Sequence, residues 1–213
     1  MELKKNNLKV EVVRPFGPSI IKIQMPLELV NEINLYIDNI ILDKTKLEKL
    51  DHGKYLVGQV MQEIELEIDF MQKIKWAEFL GAACSQWIKF EDDRKTLKQF
   101  KIIKSWVVRQ FKNEYNPVHW HSGQISGVGY LKVPKKMSKF SKKNGLDTDG
   151  KLVLIDGSKS LFSKGIFEIE PKIGDFYMFP NNLLHTVYPF FGTEEERRSI
   201  SFNAEIDPES RSY

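Results

Sequence analysis

Three of the four histidines of this chain fall in two short stretches, and their spacing could hold one metal ion. His119 and His121 flank Trp120, and His185 follows a short apolar run much later in the chain. On a β-strand, residues two apart share a face and lie about 6.6 Å apart, so two imidazoles at that spacing can converge on an ion. A third ligand from a distant strand is normal where strands close into a barrel. These residues therefore predict a metal site; the alternative is three hydrogen-bonded histidines beside turns.

A polar strand near the C-terminus is a second candidate for a functional site. Residues 197–204 alternate, with Arg197, Ser199, Ser201 and Asn203 on one face and Arg198, Ile200, Phe202 and Ala204 on the other. A wholly polar face is costly against a dry core, so it indicates a wet ligand cavity. An arginine there offers a planar fork for a carboxylate, and Ser199 offers a hydroxyl donor. This alternation favours Arg197 as the carboxylate-binding residue and predicts a surface position for Arg198; the alternative is an exposed arginine pair.

The elements that must position these residues are predicted to be mostly strands behind N-terminal helices. Residues 8–24 favour opening strands, and helices are predicted from Pro26 to Ile37 and within Met61 to Phe90. Short β-like runs separated by turn residues then follow, at 102–111, 127–133, 152–155, 166–169, 176–179, 186–191 and 199–206. Such a series is typical of a sandwich or barrel. We predict a mainly β, cupin-like double-stranded β-helix (jelly roll) in one domain, 1–213, in which 1–100 supports a core at 101–206.

Composition and charge exclude several classes of protein. A net charge of +3 is too small by itself to argue for a nucleic-acid partner. The single cysteine, Cys84, excludes an intramolecular disulfide and fits a reducing compartment. No secretory signal is visible and no apolar run reaches the length of a membrane span, so we expect no membrane partner. A cytoplasmic protein is predicted, in the host cytoplasm if the source is viral.

A lysine-rich segment is the one pronounced charge cluster. Residues 132–143 carry six lysines and no acidic residue. A solvated loop is one interpretation, and a basic lip that attracts an acidic substrate or a nucleic acid is the other. Nearby, Asp147–Gly150 is similar to the opening of a calcium loop but lacks the glutamate that such a loop requires, so it predicts a turn. His52 also lies at a predicted turn and receives no role.

Four motifs in this chain resemble those of a known family, the 2-oxoglutarate/Fe(II) oxygenases. They occur in the expected order within about residues 101–206. The match is closer to a subgroup that is common in bacteria and phages. The motifs are Asn-Pro-Val-His-Trp-His at 116–121, Ser-Gly-Val-Gly-Tyr-Leu-Lys-Val-Pro at 126–134, Gly-Asp-Phe-Tyr-Met-Phe-Pro at 174–180 with Leu-His-Thr-Val at 184–187, and Arg-Arg-Ser-Ile-Ser-Phe-Asn at 197–203.

The resemblance implies a dioxygenase that hydroxylates an unidentified substrate. It implies Fe(II), 2-oxoglutarate and O2 as cofactor and cosubstrates, and it leaves room for ascorbate. Arg197 would bind the distal carboxylate of 2-oxoglutarate, with Ser199 and Tyr130 as further donors. A protein side chain such as proline is the expected prime substrate, ahead of a nucleic-acid base.

The same resemblance implies that His119, His121 and His185 hold the iron. His121 stands where most relatives have Asp or Glu, so its role as a ligand stays open. Asp175 is the nearest alternative carboxylate, although Gly-Asp before a strand more often makes a turn.

Two other classes of protein stay open at this point. A three-histidine zinc hydrolase would use the same metal ligands but leaves the Arg197 face unexplained. A non-catalytic jelly roll that binds a metal or ligand, or serves a structural role, is the second. Turnover of 2-oxoglutarate to succinate separates both from the oxygenase.

Overall fold

The computed structural model describes residues 17–53, 57–138, 148–157, 161 and 164–208. The N-terminal elements are β1 (Ile21–Gln24), α1 (Leu27–Leu42), α2 (Lys44–Leu50), β2 (Gln62–Glu65), α3 (Ile68–Lys73) and α4 (Trp76–Glu91). The strands that follow are β3 (Phe100–Gln110), β4 (Asn116–His119), β5 (Ile125–Lys132), β6 (Leu152–Ile155), β7 (Ile166–Ile169), β8 (Asp175–Pro180), β9 (Leu184–Val187) and β10 (Arg197–Ile206).

The strands form two antiparallel sheets, and the chain passes back and forth between them. The larger sheet has the order β1-β8-β5-β10-β3-β2, and the smaller has the order β4-β9-β6-β7. From β3 onward the chain crosses between the sheets at nearly every connection, which is the topology of a jelly roll. The predicted fold class, a double-stranded β-helix with N-terminal helices, is confirmed.

The helices pack on the outer face of the six-stranded sheet and form one of two cores. In α1, Val30, Ile33, Ile37 and Ile40 recur every three or four residues and are all buried. This spacing makes one apolar helix face, whereas Leu27 and Leu35, which also belong to the pattern that predicted the helix, are exposed, and the helix continues to Leu42. The second core lies between the two sheets and includes Val128, Tyr130, Leu152, Leu154, Ile169, Phe179 and Leu183.

The single helix predicted between Met61 and Phe90 is wrong. The sequence there forms β2, α3 and α4 instead. Gln62–Glu65 pairs with β3 as the edge strand of the larger sheet. Lys75 has a φ of 52°, a left-handed conformation that ends the run of α3 before α4 begins. Cys84 lies buried in α4, and burial raises the pKa of its thiol to about 12, so it is an inert core residue.

Two glycines of β5 make room for aromatic rings between the sheet and the helices. A Cβ at Gly127 would lie 2.6 Å from the Phe202 ring, and a Cβ at Gly129 would collide with the Phe176 ring. Phe176 and Phe202 stack with their centroids 5.9 Å apart in the helix-side core. The glycines therefore let the outer face of the sheet pack closely, while Val128 and Tyr130 on the same strand point into the barrel.

The predicted surface position of Arg198 is also wrong. Its side chain is fully buried on the helix-facing side of β10. Its Nη2 donates to Asp38 of α1 at 2.7 Å, and its Nε donates to Glu196 at 2.8 Å. Arg198 Nη1 also donates to Asn34 Oδ1 at 3.1 Å. The residue thus ties the outer face of the sheet to α1, because its face of the strand is covered by that helix.

Some predicted features fall outside the described residues. These are residues 8–16 of the opening strands, residues 139–143 of the lysine segment, and Asp147. Among the described residues, no helix is long and apolar enough to cross a membrane.

We expect Arg198→Leu to destabilise the protein. The substitution leaves the largely buried Glu196 carboxylate with only Arg109, whose Nε lies 2.8 Å from it, as an ion-pair partner. Loss of the charge-assisted hydrogen bonds to Glu196 and Asp38 should lower the free energy of unfolding by about 1.5–3 kcal/mol. Urea unfolding followed by circular dichroism measures this loss. Arg94→Leu, which changes an exposed arginine, is the matched control. Equal stability of the two variants would contradict the structural role of Arg198.

Candidate metal centre and cavity

The structure brings His119, His121 and His185 together at the mouth of the barrel. Their ring centroids lie 4.2 to 4.9 Å apart, and one nitrogen of each ring lies within 4.8 Å of the others. His119 and His185 are directly opposite each other on the paired strands β4 and β9. No other group of three or more potential metal ligands occurs among the described residues.

Backbone carbonyls orient two of these rings. Nδ1 of His119 donates to the carbonyl of Pro117 at 2.7 Å, and Nδ1 of His185 donates to the carbonyl of Leu183 at 2.9 Å. A carbonyl can only accept, so Nδ1 carries the hydrogen in both rings and the lone pair is on Nε2. This arrangement is typical of metal-binding histidines, whose second nitrogen is fixed by an outer hydrogen bond.

His121 reaches the site from a loop rather than from a strand. Strand β4 ends at His119, so the expectation that both residues share one strand face is wrong. The His121 backbone is held by Asn181, the residue after β8: its N–H donates to the Asn181 carbonyl at 3.0 Å, and its carbonyl accepts from Asn181 Nδ2 at 2.9 Å. The His121 ring packs edge-on against Trp106, with centroids 5.5 Å apart.

The spacing of the ring nitrogens fits a divalent metal ion. Nε2 of His121 and Nε2 of His185 lie 3.1 Å apart. A metal–nitrogen bond is about 2.1 Å long, so two ligands at right angles around one ion are about 3 Å apart. Three imidazoles on one side of an ion leave its other positions open for ligands that react.

Burial keeps the three imidazoles neutral. It lowers the pKa of His121 to about 3, with further lowering by the neighbouring His185 and His119. Burial also lowers the pKa of His185 to about 4, and it lowers the pKa of His119. Only a neutral imidazole has a lone pair to give a metal, so the cluster is ready to bind an ion at neutral pH.

Asp175, the alternative carboxylate, lies elsewhere. It begins β8, follows Gly174, which has a φ of 86°, and pairs with Lys22 at 2.6 Å. It therefore belongs to a turn and an ion pair, and the cluster of ligand atoms contains histidines alone.

The histidines open into a cavity of about 600 Å³ between the sheets. The polar face of β10 lines it through Arg197, Ser199, Ser201 and Asn203, and β3 lines it through Lys104, Trp106, Val108 and Gln110. The alternation inferred for β10, with Arg197, Ser199, Ser201 and Asn203 on one face, is therefore the one that the structure has. The β3 residues were missed, because neither alternating face of 102–111 is uniformly polar or apolar.

The Arg197 guanidinium lies at one end of this cavity and is only partly hydrogen-bonded. It is 1% exposed, and its Nη1 donates to Gln110 Oε1 at 3.0 Å. Among the described residues, nothing accepts a hydrogen bond from its Nε or Nη2. Burial lowers the pKa of Arg197, so the protein holds a cation there at a cost in free energy.

The two other predicted donors lie beside Arg197. Tyr130 is fully buried with its ring 5.2 Å from the guanidinium carbon, and its hydroxyl has no partner among the described residues. Ser199 lies opposite Tyr130 on the paired strands and lines the cavity. Arg197, Ser199 and Tyr130 therefore surround one space, and two of them hold polar atoms without partners.

Glu63 is a cavity residue that the sequence did not indicate, because its segment was read as helix. It lies on β2, is 3% exposed, and lines the cavity. Its Oε1 has no hydrogen-bond partner among the described residues. Burial raises the pKa of Glu63 to about 7, and the charge of Lys104 offsets part of that rise.

Comparison with known proteins shows which family the jelly-roll segment resembles. Residues 104–203 match the family described as "Putative 2OG-Fe(II) oxygenase". The match runs from β3 to β10 and contains the three histidines, Ser199 and Arg197. The match confirms the resemblance stated from the motifs. A family of this description consists of oxidoreductases that use Fe(II), 2-oxoglutarate and O2. No curated protein matches the chain.

Solved structures show the same fold at low sequence identity. A Pseudomonas putida prolyl-4-hydroxylase is 15% identical with a TM-score of 0.52, over 89% of this chain and 93% of that one. AviO1 from Streptomyces viridochromogenes Tue57 is 11% identical with a TM-score of 0.58, over 90% of each chain. A Trichoplax adhaerens prolyl hydroxylase, solved with a hypoxia inducible factor peptide fragment, is 12% identical with a TM-score of 0.53, over 91% of this chain and 86% of that one.

We expect His119→Ala and His185→Ala to lose stoichiometric Fe(II) binding while they stay folded. A set of three ligands loses most of its affinity with one member, and neither side chain supports the helix-side core. His121→Asp should still bind the metal, because a carboxylate can take the third position. Anaerobic calorimetry with Fe(II) or Co(II) measures the affinity. Wild-type affinity in His119→Ala would show that the assignment of the ligands is incorrect.

Glu63 should make the stability of the protein depend on pH. The side chain has a pKa of 4.5 in its ordinary state and about 7 in the folded protein, so folding favours its protonated form. Its contribution to stability is complete below about pH 4.5 and is lost as the pH rises through about 7. Relative to Glu63→Gln, the wild-type free energy of unfolding should fall by about 3 kcal/mol between pH 4.5 and 8. Urea titrations over this range test it, and parallel curves for the two proteins would refute it.

Proposed function

We propose that this chain is an Fe(II)- and 2-oxoglutarate-dependent dioxygenase in which His119, His121 and His185 bind the iron. Arg197 binds the distal carboxylate of 2-oxoglutarate in the same cavity. The observation that carries the proposal is the buried guanidinium with two unpartnered nitrogens, in one cavity with three neutral imidazoles.

The free edge of Arg197 suits a carboxylate. Its Nε and Nη2 form one side of the planar guanidinium, and that side can donate to both oxygens of a single carboxylate. Gln110 occupies Nη1 and so holds the fork in place without neutralising its charge. A zinc hydrolase would use the histidines but would leave this cation without a ligand.

Neighbouring residues would complete the cosubstrate site. The Tyr130 hydroxyl lacks a partner, and a carboxylate beside Arg197 would accept from it and from Ser199. Apolar side chains line the rest of this region of the cavity, namely Val128, Leu152, Phe179 and Val187. These walls limit water around the cosubstrate, which strengthens its contacts with the charged end of the site.

The three-histidine centre favours an anionic cosubstrate. Neutral ligands leave both positive charges of the metal uncompensated, whereas a carboxylate ligand would cancel one. Iron(II), when bound, supplies the one-electron chemistry that activates O2, and ascorbate can serve as an external reductant. The protein's own contribution is to fix the three nitrogens, to hold the cosubstrate's distal end at Arg197, and to exclude water.

The prime substrate is proposed to be a protein side chain such as proline. Two of the structures with this fold are named as prolyl hydroxylases, and one of them holds a peptide fragment. We also propose that the chain forms one catalytic domain, 1–213, in which 1–100 supports 101–206. The N-terminal strands β1 and β2 form the two edges of the six-stranded sheet, and the helices cover its outer face.

Succinate formation tests the proposed activity. Purified protein with Fe(II), ascorbate, O2 and 2-oxoglutarate should form succinate slowly on its own and faster with a suitable peptide. His185→Ala should form none. Binding of one Fe(II) per chain without any succinate, with or without peptides, would favour a non-catalytic protein instead.

Arg197→Leu should weaken 2-oxoglutarate binding about ten- to hundredfold. It removes a charge-assisted contact that contributes about 1.5–3 kcal/mol. Fe(II) affinity should not change, because the arginine faces the cosubstrate and not the metal. Anaerobic calorimetry with each ligand separates the two effects, and Arg94→Leu is the control. A loss of Fe(II) binding with unchanged 2-oxoglutarate affinity would contradict the assignment.

A further inference from the structure

A second buried charge lies in the cavity, on the opposite side of β3 from Arg197. Glu63 of β2 pairs with Val108 of β3, and Arg197 of β10 pairs with Gln110 of β3. One strand separates the two residues, and their partners on it are two residues apart, so their backbones lie about 12 Å apart. The cavity therefore has a carboxyl group on one side and a cation on the other.

Among the residues that the structure describes, none forms an ion pair with the Glu63 carboxyl group. Lys104, whose charge acts on Glu63, is 3.0 Å from Glu65 and 3.2 Å from Nδ1 of His52. It acts on Glu63 only at longer range, through its charge. A carboxyl group that is 97% buried with an unpartnered oxygen aimed into a cavity is costly, unless a ligand completes it.

The absence of a side chain at Gly58 lets the Glu63 carboxyl group and the Asn116 side chain lie close to its backbone. A Cβ at Gly58 would collide with Glu63 Oε1 and would lie 2.8 Å from Asn116 Oδ1. Glu63 and Asn116 both line the cavity, so their oxygens are neighbouring acceptors there. Gly58 does not have a positive φ, so alanine would fit its backbone but would displace these two side chains.

The route into this space from solvent is apolar and aromatic. Val57, Val118 and Trp120 line the cavity and are about half exposed or more, and Trp106 lies deeper beside His121. An aliphatic stem can pack along such a wall, and a cation at its end is attracted to indole rings.

We propose that Glu63 and Asn116 form a subsite for a cationic side chain of the prime substrate, the guanidinium of an arginine or the ammonium of a lysine. The inference rests on the proposed function, because it assigns the prime substrate to the side of the cavity that 2-oxoglutarate leaves free. Glu63 accepts from the cationic N–H groups, and the apolar rim holds the methylene stem. Glu63 is thereby a specificity residue.

Binding of small probes tests the subsite without turnover. The probes are n-butylguanidinium, n-butylammonium and neutral 1-pentanol, titrated into the full chain with Zn(II), which is diamagnetic, and 2-oxoglutarate. The four tryptophan indole N–H signals in nitrogen-15 NMR spectra report the site. Trp106 and Trp120 line the cavity, whereas the Trp76 and Trp87 indoles donate to Ser105 and Ser19 and serve as internal controls.

We expect both cations to shift the Trp106 and Trp120 signals and to bind about tenfold more tightly than 1-pentanol. Glu63→Gln should abolish this preference by removing the charge, and Gly58→Ala should weaken it by displacing the Glu63 carboxyl group. Glu28→Gln, a change at an exposed acid on α1, should not affect it.

Equal affinity of the three probes for the wild type would overturn the proposal without reference to any variant. So would a cation preference that survives Glu63→Gln with unchanged Trp76 and Trp87 signals. The outcome is independent of catalysis. Succinate formation without the preference for cations would refute the proposed subsite but not the oxygenase activity. The preference for cations without succinate formation would refute the oxygenase activity but not the subsite.

Discussion

Strand β10 sends its side chains alternately into a dry core and into a wet cavity, and both halves of the molecule depend on that alternation. Its outer residues pack under the helices, where Arg198 is neutralised by carboxylates. Its inner residues form the polar wall that ends in Arg197. A shift of the register by one residue would exchange the two arginines and bury a polar row against the helices, so the packing of the core fixes the chemistry of the cavity.

Charge is distributed in the cavity so that each buried group lacks what a ligand can supply. The histidines are neutral and have free lone pairs, Arg197 has unused donors, and Glu63 has an unused acceptor. Such groups are costly in an empty protein, and binding of a metal, an anion and a cation would recover that cost. The cavity is therefore better understood as three adjacent subsites than as one pocket.

The parts of this arrangement that follow from local patterns could be predicted from the sequence. The faces of β10 and the helix that begins after Pro26 depend on local patterns alone, and both predictions agree with the structure. The burial of Arg198 could not be predicted in this way, because its partner Asp38 is 160 residues away in the chain.

Elements that are short, or that contacts with distant residues hold in place, could also not be predicted from the sequence. The four-residue strand β2 adjoins helical sequence, so Glu63 was assigned to a helix and its position in the cavity was missed. His121 was identified by its residue type, but it is positioned by Asn181, which is 60 residues further along. Both errors arise where tertiary contacts, rather than periodicity, determine the conformation.

The central claim is that the metal centre and Arg197 bind the two ends of one 2-oxoglutarate molecule. The most direct measurement is an anaerobic titration of the Fe(II)-loaded protein with 2-oxoglutarate, followed by the visible charge-transfer absorption that a 2-oxo acid gives when it chelates iron(II). The account predicts that this absorption appears and saturates at one equivalent per chain, and that Arg197→Leu needs a higher concentration to reach the same intensity. Absence of the absorption from wild-type protein that has bound its iron would contradict it.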